Sequence, residues 1–323
     1  MSLLELDSLN IELSSSTGPI NVVSDLSLSI KKGEIFGLAG ESGCGKSLTA
    51  LAIMGILPEV MTASGAIRFN DRELIGMEES ALRKLRGAEM AMIFQEPMTS
   101  LNPVLRIGYQ IEESINTHLN VTGREARRIA LGLLRSVHIP SPEVRIREYP
   151  HQLSGGMRQR VMIAMAISCS PALLIADEPT TALDVTIEAQ ILSLLRELRD
   201  TKGMGMLLIT HDLGVIAENA ERVAIMYAGR IVEQAPVKRL FEAPAHPYTV
   251  GLLRSLPEVR GQALSPIPGL VPKPDQLPEG CKFNDRCSYA LDDCTRKEPH
   301  LVKADGNEGH TTRCIRAAER PWQ

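Results

Sequence analysis

Residues 34 to 47 read Glu34-Ile35-Phe36-Gly37-Leu38-Ala39-Gly40-Glu41-Ser42-Gly43-Cys44-Gly45-Lys46-Ser47. The stretch up to Ala39 is a short apolar run that suits a buried parallel strand. Gly40-x4-Gly45-Lys46-Ser47 follows at once, and Lys46 to Ile56 then has helical spacing. Strand, glycine-rich loop and helix in that order make a cradle for phosphate. The glycines let backbone N–H groups curl round an anion, and the helix tip adds the positive end of its dipole. Gly40, Glu41, Ser42, Gly43, Cys44, Gly45, Lys46, Ser47 and Leu48 are therefore candidate phosphate-binding residues. Lys46 offers a charge to the β- and γ-phosphates, and Ser47 a hydroxyl to Mg2+. Cys44 neighbours both Lys46 and the helix tip, which favour a lowered thiol pKa and a redox-sensitive site. The plainer reading of Cys44 is a small tolerated residue, and that of Cys169 is core packing.

A second element completes such a site. Leu173-Leu174-Ile175-Ala176-Asp177-Glu178 puts two carboxylates directly after four apolar residues. The pair thus falls at the C-terminal end of a buried strand, where ligand sites of α/β proteins lie. Asp177 is read as a holder of Mg2+ through water, and Glu178 as the group that orients and deprotonates an attacking water. A third anion site opens at Leu153-Ser154-Gly155-Gly156-Met157-Arg158-Gln159-Arg160, where a serine and two bare glycines begin a helix.

These three strings together resemble the ABC-type ATPases, with the octet at 153–160 similar to that family's signature motif. The resemblance implies that Ser154, Gly155 and Gly156 bind the γ-phosphate of ATP held by an opposite subunit, so that two subunits close head to tail around two nucleotides. It implies further roles residue by residue. Gln95, in Phe94-Gln95-Glu96-Pro97, resembles the glutamine that contacts the Mg2+ and water region and faces the permease. Asp184, in Thr181-Ala182-Leu183-Asp184, resembles the residue of the loop that crosses to the other subunit. His211, after Leu207-Leu208-Ile209-Thr210, resembles the switch histidine near the γ-phosphate. Lys46, Gln95, Glu178 and His211 are the expected catalytic set, and Ser47, Gln95 and Asp177 the expected Mg2+ set. No aromatic precedes Phe36 to stack on adenine, which leaves aliphatics such as Leu13 or Val22 for that purpose.

The expected fold is α/β: a P-loop NTPase with a RecA-like parallel sheet core, an antiparallel β subdomain, an inserted helical subdomain at about 96–165, and a small irregular Cys-rich C-terminal extension. Residues 3 to 13 read as an edge strand, and Val22 to Ile30 as a half-buried one by their alternation. Ala66 to Arg72 reads as a strand entering an Asn70-Asp71 turn, and Arg222–Met226 with Arg230–Glu233 as a hairpin about Ala228-Gly229. Proline density rises after Glu233, which sets a boundary between an ATPase domain at 1–235 and an extension at 236–323.

That extension holds Ala245-His246-Pro247-Tyr248-Thr249, Leu252 to Pro257, Pro268-Gly269-x2-Pro272, Pro278-x-Gly280-Cys281-x-Phe283 and Arg286-Cys287. It resembles the C-terminal region of oligopeptide and dipeptide permease ATPases, whose relatives also serve nickel. Its cysteines are spaced Cys281-x5-Cys287-x6-Cys294-x19-Cys314. Four thiols in a proline-rich, core-poor segment suggest a metal staple. Single wide spacings favour a [4Fe–4S] cluster over zinc, whose ligands commonly come in close pairs; free thiols or disulfides are the remaining readings. His310 is available as a substitute ligand.

Composition narrows the function classes. A net charge of −4 gives no global attraction to a polyanion, and 3% aromatic residues supply few platforms for stacked bases, so no nucleic-acid partner is expected. No apolar run approaches the roughly 20 residues that cross a bilayer. The start, Met1-Ser2-Leu3-Leu4-Glu5-Leu6-Asp7, is not read as a secretory signal. The expectation is an ATP- and Mg2+-dependent subunit at the cytoplasmic face of the inner membrane. Its partners would be a sister ATPase, two transmembrane permease subunits and, indirectly, an extracytoplasmic solute-binding protein. The alternative is a DNA-maintenance ATPase of the same superfamily, but no heptads or long arm intervene between residues 40 and 154.

Overall fold

The computed structural model describes residues 2–16, 18–95, 100–181, 183–256, 267–304, 306 and 309–322. Glu96 and Pro97 beside Gln95, Ala182 before Asp184, and Pro257 and Pro266 of the extension lie outside them. In chain order the elements are β1 (Ser2–Ser15), β2 (Gly18–Lys31), β3 (Ile35–Ala39), α1 (Lys46–Met54), β4 (Met61–Phe69), β5 (Arg72–Glu73), α2 (Glu79–Leu85), β6 (Met90–Ile93), α3 (Ile107–His118), α4 (Gly123–Ser136), α5 (Pro142–Arg145), α6 (Gly155–Ala166), β7 (Leu173–Asp177), α7 (Val185–Lys202), β8 (Gly205–Thr210), α8 (Leu213–Asn219), β9 (Arg222–Tyr227), β10 (Arg230–Pro236), α9 (Val237–Glu242), α10 (Pro247–Arg254), α11 (Asp292–Arg296), β11 (Val302–Lys303) and β12 (Thr311–Thr312).

The chain divides into two compact units. One comprises Met1–Leu3, Ile30–Glu34 and Gly76–Leu207; the other Leu4–Ser29, Ile35–Ile75 and Leu208–Gln323. In the first unit β6 and β7 pair in parallel, Met90 opposite Leu173 and Ile93 opposite Ala176. Every residue of β7 is buried, which is why its sequence reads as an unbroken apolar run rather than an alternation. The helical insertion follows from periodicity and caps. Thr122 accepts from the Glu125 N–H to start α4, and its Ala126, Ala130, Leu133 and Leu134 form one buried face. Ile107, Ile111 and Ile115 do the same for α3. In α7, Asp184 caps the start, Gly203 ends it in the left-handed region, and Ile191, Leu194, Leu195 and Leu198 point inward.

The second unit holds an antiparallel sheet in the order β2-β1-β4-β5. β1 is therefore an interior strand, not the edge strand its alternation suggested. Its apolar positions Leu4, Leu6, Leu9 and Ile11 are all buried, and it pairs with β4 from Leu4–Phe69 to Leu13–Met61. Alternation reveals which face of a strand is buried, but not how many neighbours it has. Asn70 and Asp71 both have positive φ, as a tight two-residue hairpin turn requires. A second sheet in this unit runs β11-β12-β10-β9-β3. β3 lies parallel to β9, and β9 returns as β10 through Ala228-Gly229.

The extension is less irregular than its prolines suggested. Pro236 closes β10, and Pro247 opens α10, where a missing N–H is harmless and the His246 side chain caps the Tyr248 N–H. β12 extends the sheet by pairing with β10, Glu233 opposite Thr312 and Gln234 opposite Thr311. Buried polar bonds then fasten it. Glu233 is fully buried and accepts from the N–H groups of Ala245 and His246, and it bonds His310 Nε2 at 2.8 Å. Burial keeps His246 neutral, with its pKa lowered to about 3. Arg313 donates to the carbonyls of Ile231, Pro299 and Asp25 and to the Asp25 carboxylate.

The metal staple expected of Cys281, Cys287, Cys294 and Cys314 is corrected by the structure. All four border one cavity, beside Phe283 and Trp322. Yet among the described residues no three Cys, His, Asp or Glu side chains are grouped to hold a metal ion, neither a [4Fe–4S] cluster nor zinc. The sulfurs are free thiols rather than disulfides. Burial pushes the Cys281 thiol up to about 11 and the Cys314 thiol up to about 12, and Cys287 is raised for the same reason. Strand addition and the arginine, glutamate and aromatic contacts of the extension do the fastening assigned to metal. His310 is committed to Glu233.

Arg313→Met removes several bonds to carbonyls, each worth about 1 kcal/mol, so unfolding in urea is expected to need about 2–4 kcal/mol less. Burial raises the Asp25 carboxyl, but the hydrogen bonds and charge of Arg313 outweigh it and hold the group below its ordinary 3.8. The contribution of that pair is therefore complete above pH 3.8 and fades as pH falls through the lower folded value. A wild-type-like acid limb in Arg313→Met would contradict this.

Candidate nucleotide-binding site

The phosphate loop is built on backbone-to-backbone packing. A Cβ at Gly40 would lie 2.1 Å from the Met226 carbonyl oxygen, and one at Gly45 would lie 2.8 Å from Met226 Cε and 2.9 Å from Val23 Cγ2. No methyl group fits at Gly40, and one at Gly45, which has φ +106, would force the Met226 and Val23 side chains to shift. The loop is tied again where the Gly229 N–H donates to the Cys44 carbonyl at 3.0 Å. Gly45 starts α1 with no side-chain cap, so no N-cap side chain stands at the helix tip where an anion would bind. Lys46 is buried, and its ammonium donates to the carbonyls of Gly40 at 2.7 Å and Glu41 at 3.0 Å. Ser47 and Leu48 are half-buried on the first turn, and Ser42 and Gly43 are exposed.

Cys44 behaves as a packed residue. It is buried, and burial raises its thiol, outweighing the lowering effect of Lys46. The activating surroundings read from its neighbours in sequence are thus overridden by loss of solvent. Leu13 and Val22 are half-buried on β1 and β2.

Glu41 is held in a way the sequence did not disclose. Its N–H donates to Tyr248 Oη at 2.9 Å, and Arg286 grips its carboxylate through two bonds of 2.7 and 3.0 Å. A single sequence offers no signal for partners more than 200 residues apart. The tyrosine's motif and Arg286-Cys287 were visible only as parts of the extension.

In the first unit, Asp177 is buried at the end of β7 and Glu178 follows half-buried. Glu178 has φ 44, a left-handed backbone that a glutamate adopts only under constraint. Its carboxylate oxygen Oε2 accepts from Gln95 Nε2 and from Thr181 Oγ1, both at 2.9 Å. The structure thus brings together Gln95 and Glu178, which lie 83 residues apart. Thr181 was not foreseen as part of the site.

The Ser154-Gly155-Gly156 corner starts α6. Ser154 caps it by accepting from the Met157 N–H, and both Ser154 and Gly155 are exposed. A Cβ at Gly155 would meet only Leu183 Cδ2, at 3.6 Å, whereas one at Gly156 would lie 2.8 Å from Ile187 Cγ2. Gly156 therefore lets α6 approach α7, while Gly155 keeps the tip bare. Asp184 accepts from the Ile187 N–H and caps α7. His211 is exposed directly after β8, and Asp212 beside it caps α8.

Phosphate loops on buried strands serve many nucleotide-handling proteins. A helical insertion that closes on an exposed Ser-Gly-Gly helix tip narrows the class to the ABC-type ATPases. A model of ABC transporters matches residues 23–181, and one of the oligopeptide/dipeptide transporter C-terminal region matches 232–294. The chain is 48% identical over 99% of its length to the dipeptide transport ATP-binding protein DppD of Escherichia coli, of which 99% is covered. It is 50% identical over 97% of its length to the oligopeptide transport ATP-binding protein AppD of Bacillus subtilis, of which 96% is covered. Among solved structures, the ATP-binding cassette MJ0796 bound to ADP and Pi aligns with a TM-score of 0.65 at 26% identity, over 72% of this chain and 98% of that one. The chain belongs to the ATP-binding subunits of peptide-type ABC transporters, and it is an ATPase.

Gly155→Ala is expected to be neutral or to stabilise by about 0.5–1 kcal/mol, because a helical glycine is replaced where there is room. Gly156→Ala should destabilise by about 1 kcal/mol through overpacking against Ile187. Urea titration of the two variants checks the order, and equal effects would contradict the packing argument.

Proposed function

We propose that this subunit hydrolyses ATP to drive uptake of peptides or related solutes through a membrane permease. The observation that carries the hydrolytic part is the Glu178 carboxylate, fixed through one oxygen by Gln95 and Thr181 at the end of a buried strand. That carboxylate is the group to orient water and accept its proton. Lys46 would exchange its two loop carbonyls for β- and γ-phosphate oxygens, and amides of the loop other than that of Glu41 would surround the phosphates.

The donor chemistry suits Mg2+: a serine hydroxyl at Ser47, an amide oxygen at Gln95 and a buried carboxylate at Asp177. Bound there, the ion would neutralise charge on the phosphate oxygens. His211 would sense the γ-phosphate, and Leu13 or Val22 would receive adenine.

Ser154, Gly155 and Gly156, with Asp184 behind them, would complete the nucleotide site of an opposite subunit. Their exposure supports that reading, and the dimeric form of the cassette MJ0796 is a precedent for a pair. A non-identical sister ATPase, two permease subunits and an extracytoplasmic solute-binding protein are the proposed partners, at the cytoplasmic face of the inner membrane. No helix among the described residues is long and apolar enough to cross a membrane, so the spanning would fall to the permease. Residues 1–235 would form the ATPase domain and 236–323 the extension. Peptide is the proposed solute because the named relatives are peptide transport proteins.

Lys46→Ala should weaken MgATP binding roughly hundredfold, since a charge-assisted phosphate contact is lost. Glu178→Gln should bind MgATP normally while turnover falls roughly 10²–10⁴-fold, as for loss of a general base. Equilibrium binding and phosphate release measure the two, and normal turnover by Glu178→Gln would remove its role as base.

A further inference from the structure

Glu41 places a negative charge in the loop that is to receive a triphosphate. Like charges repel more strongly where protein has displaced water, so an uncompensated carboxylate there opposes binding. The compensation comes from the C-terminal extension. Arg286 makes a two-bond fork to Glu41. The guanidinium is itself fixed. Its Nε donates to the Pro268 carbonyl at 2.7 Å, its plane sits by the rings of Tyr227 and Phe283 at 5.7 and 5.9 Å, and its side chain is only 5% exposed.

Tyr248 takes the other polar end of the same residue, accepting from the Glu41 N–H. It is fully buried against Tyr227 and Phe283, with ring centroids 4.7 and 5.3 Å away. The Glu41 carbonyl is held by Lys46. Carboxylate, N–H and carbonyl of one loop residue are thus all engaged, two of them by side chains of the extension.

We propose that Arg286, assisted by Tyr248, is a positioning residue for the phosphate loop: by cancelling the charge of Glu41 and fixing its backbone, the C-terminal extension sets the affinity of the loop for a nucleoside triphosphate. The proposal rests on the loop being the ATP site. Arg286 acts through Glu41 and need not touch nucleotide. Its effect must therefore depend on Glu41 being charged, which a general bracing role would not require.

The test is equilibrium titration of the full-length chain with MgATP. Emission from Trp322, the single tryptophan, which is buried in the extension, checks that each variant keeps that region folded. Arg286→Gln should raise Kd roughly tenfold, equivalent to about 1.4 kcal/mol, and more at low salt than at high. Arg286→Lys, which keeps the charge, should recover most of the loss. In a Glu41→Gln background the Arg286→Gln change should alter Kd less than about twofold. Tyr248→Phe should weaken binding roughly threefold by deleting one hydrogen bond, and it decides the matter if Arg286→Gln does not fold. An unchanged Kd in Arg286→Gln, or an equal loss with and without the Glu41 charge, overturns the proposal. So does an unchanged Kd in Tyr248→Phe where that variant must decide. Failure of the underlying reading would look different: the wild-type chain itself would not bind MgATP, or Lys46→Ala would bind it as well as wild type.

Discussion

The site depends on one close contact, in which the backbone of the phosphate loop lies directly on the backbone at the end of β9. Gly40 meets the Met226 carbonyl with no space for a methyl group, and Gly229 in the following turn donates to Cys44. A loop that must present amides to an anion has few left with which to fold itself. It needs an outside surface that dictates its path, and the β9–β10 hairpin is that surface. This is why the tight turn at Ala228-Gly229, far along the chain, belongs to the architecture of residues 40–47.

Much of the framework could be read from local pattern. The loop lies between an apolar run and a helix, and the Asp177-Glu178 pair ends four apolar residues, so both could be located from neighbouring residues alone. Asp184 and Ser154 could be located as polar residues just ahead of helical spacing, and each proves to cap its helix. What could not be read was nonlocal. The alternation of β1 gives its buried face but not its place between β2 and β4. The positive φ of Glu178 leaves no trace in residue type, because glutamate has no preference for that region. The raised thiol of Cys44 depends on burial from several directions, whereas its sequence neighbours alone argue for the opposite shift.

The extension teaches the same lesson in a sharper form. Four cysteines in a proline-rich tail invite a metal as the organising centre, because a short segment with little core needs some staple. The staple it has is made of charge and strand pairing. Glu233, without exposure, gathers two backbone amides and a histidine. Arg313 gathers carbonyls from three separate segments, and Arg286 reaches into the phosphate loop. Buried ionic groups are costly unless their bonds are satisfied, and these are satisfied many times over. The tail is therefore bonded in energetic terms to the β1–β2 region, to β10 and to the phosphate loop.

The reach of two of these bonds has a consequence for biosynthesis. Glu41 and Arg286 are separated by 245 residues, and Asp25 and Arg313 by 288. A chain emerging from the ribosome exposes its phosphate loop long before the residues that hold Glu41 and anchor the β1–β2 region. Domains fold from the N-terminus as they are made, and contacts between distant residues form late. The bonds that fix Glu41 can therefore form only after the extension has emerged, which couples the shape of the loop to the arrival of a distant segment.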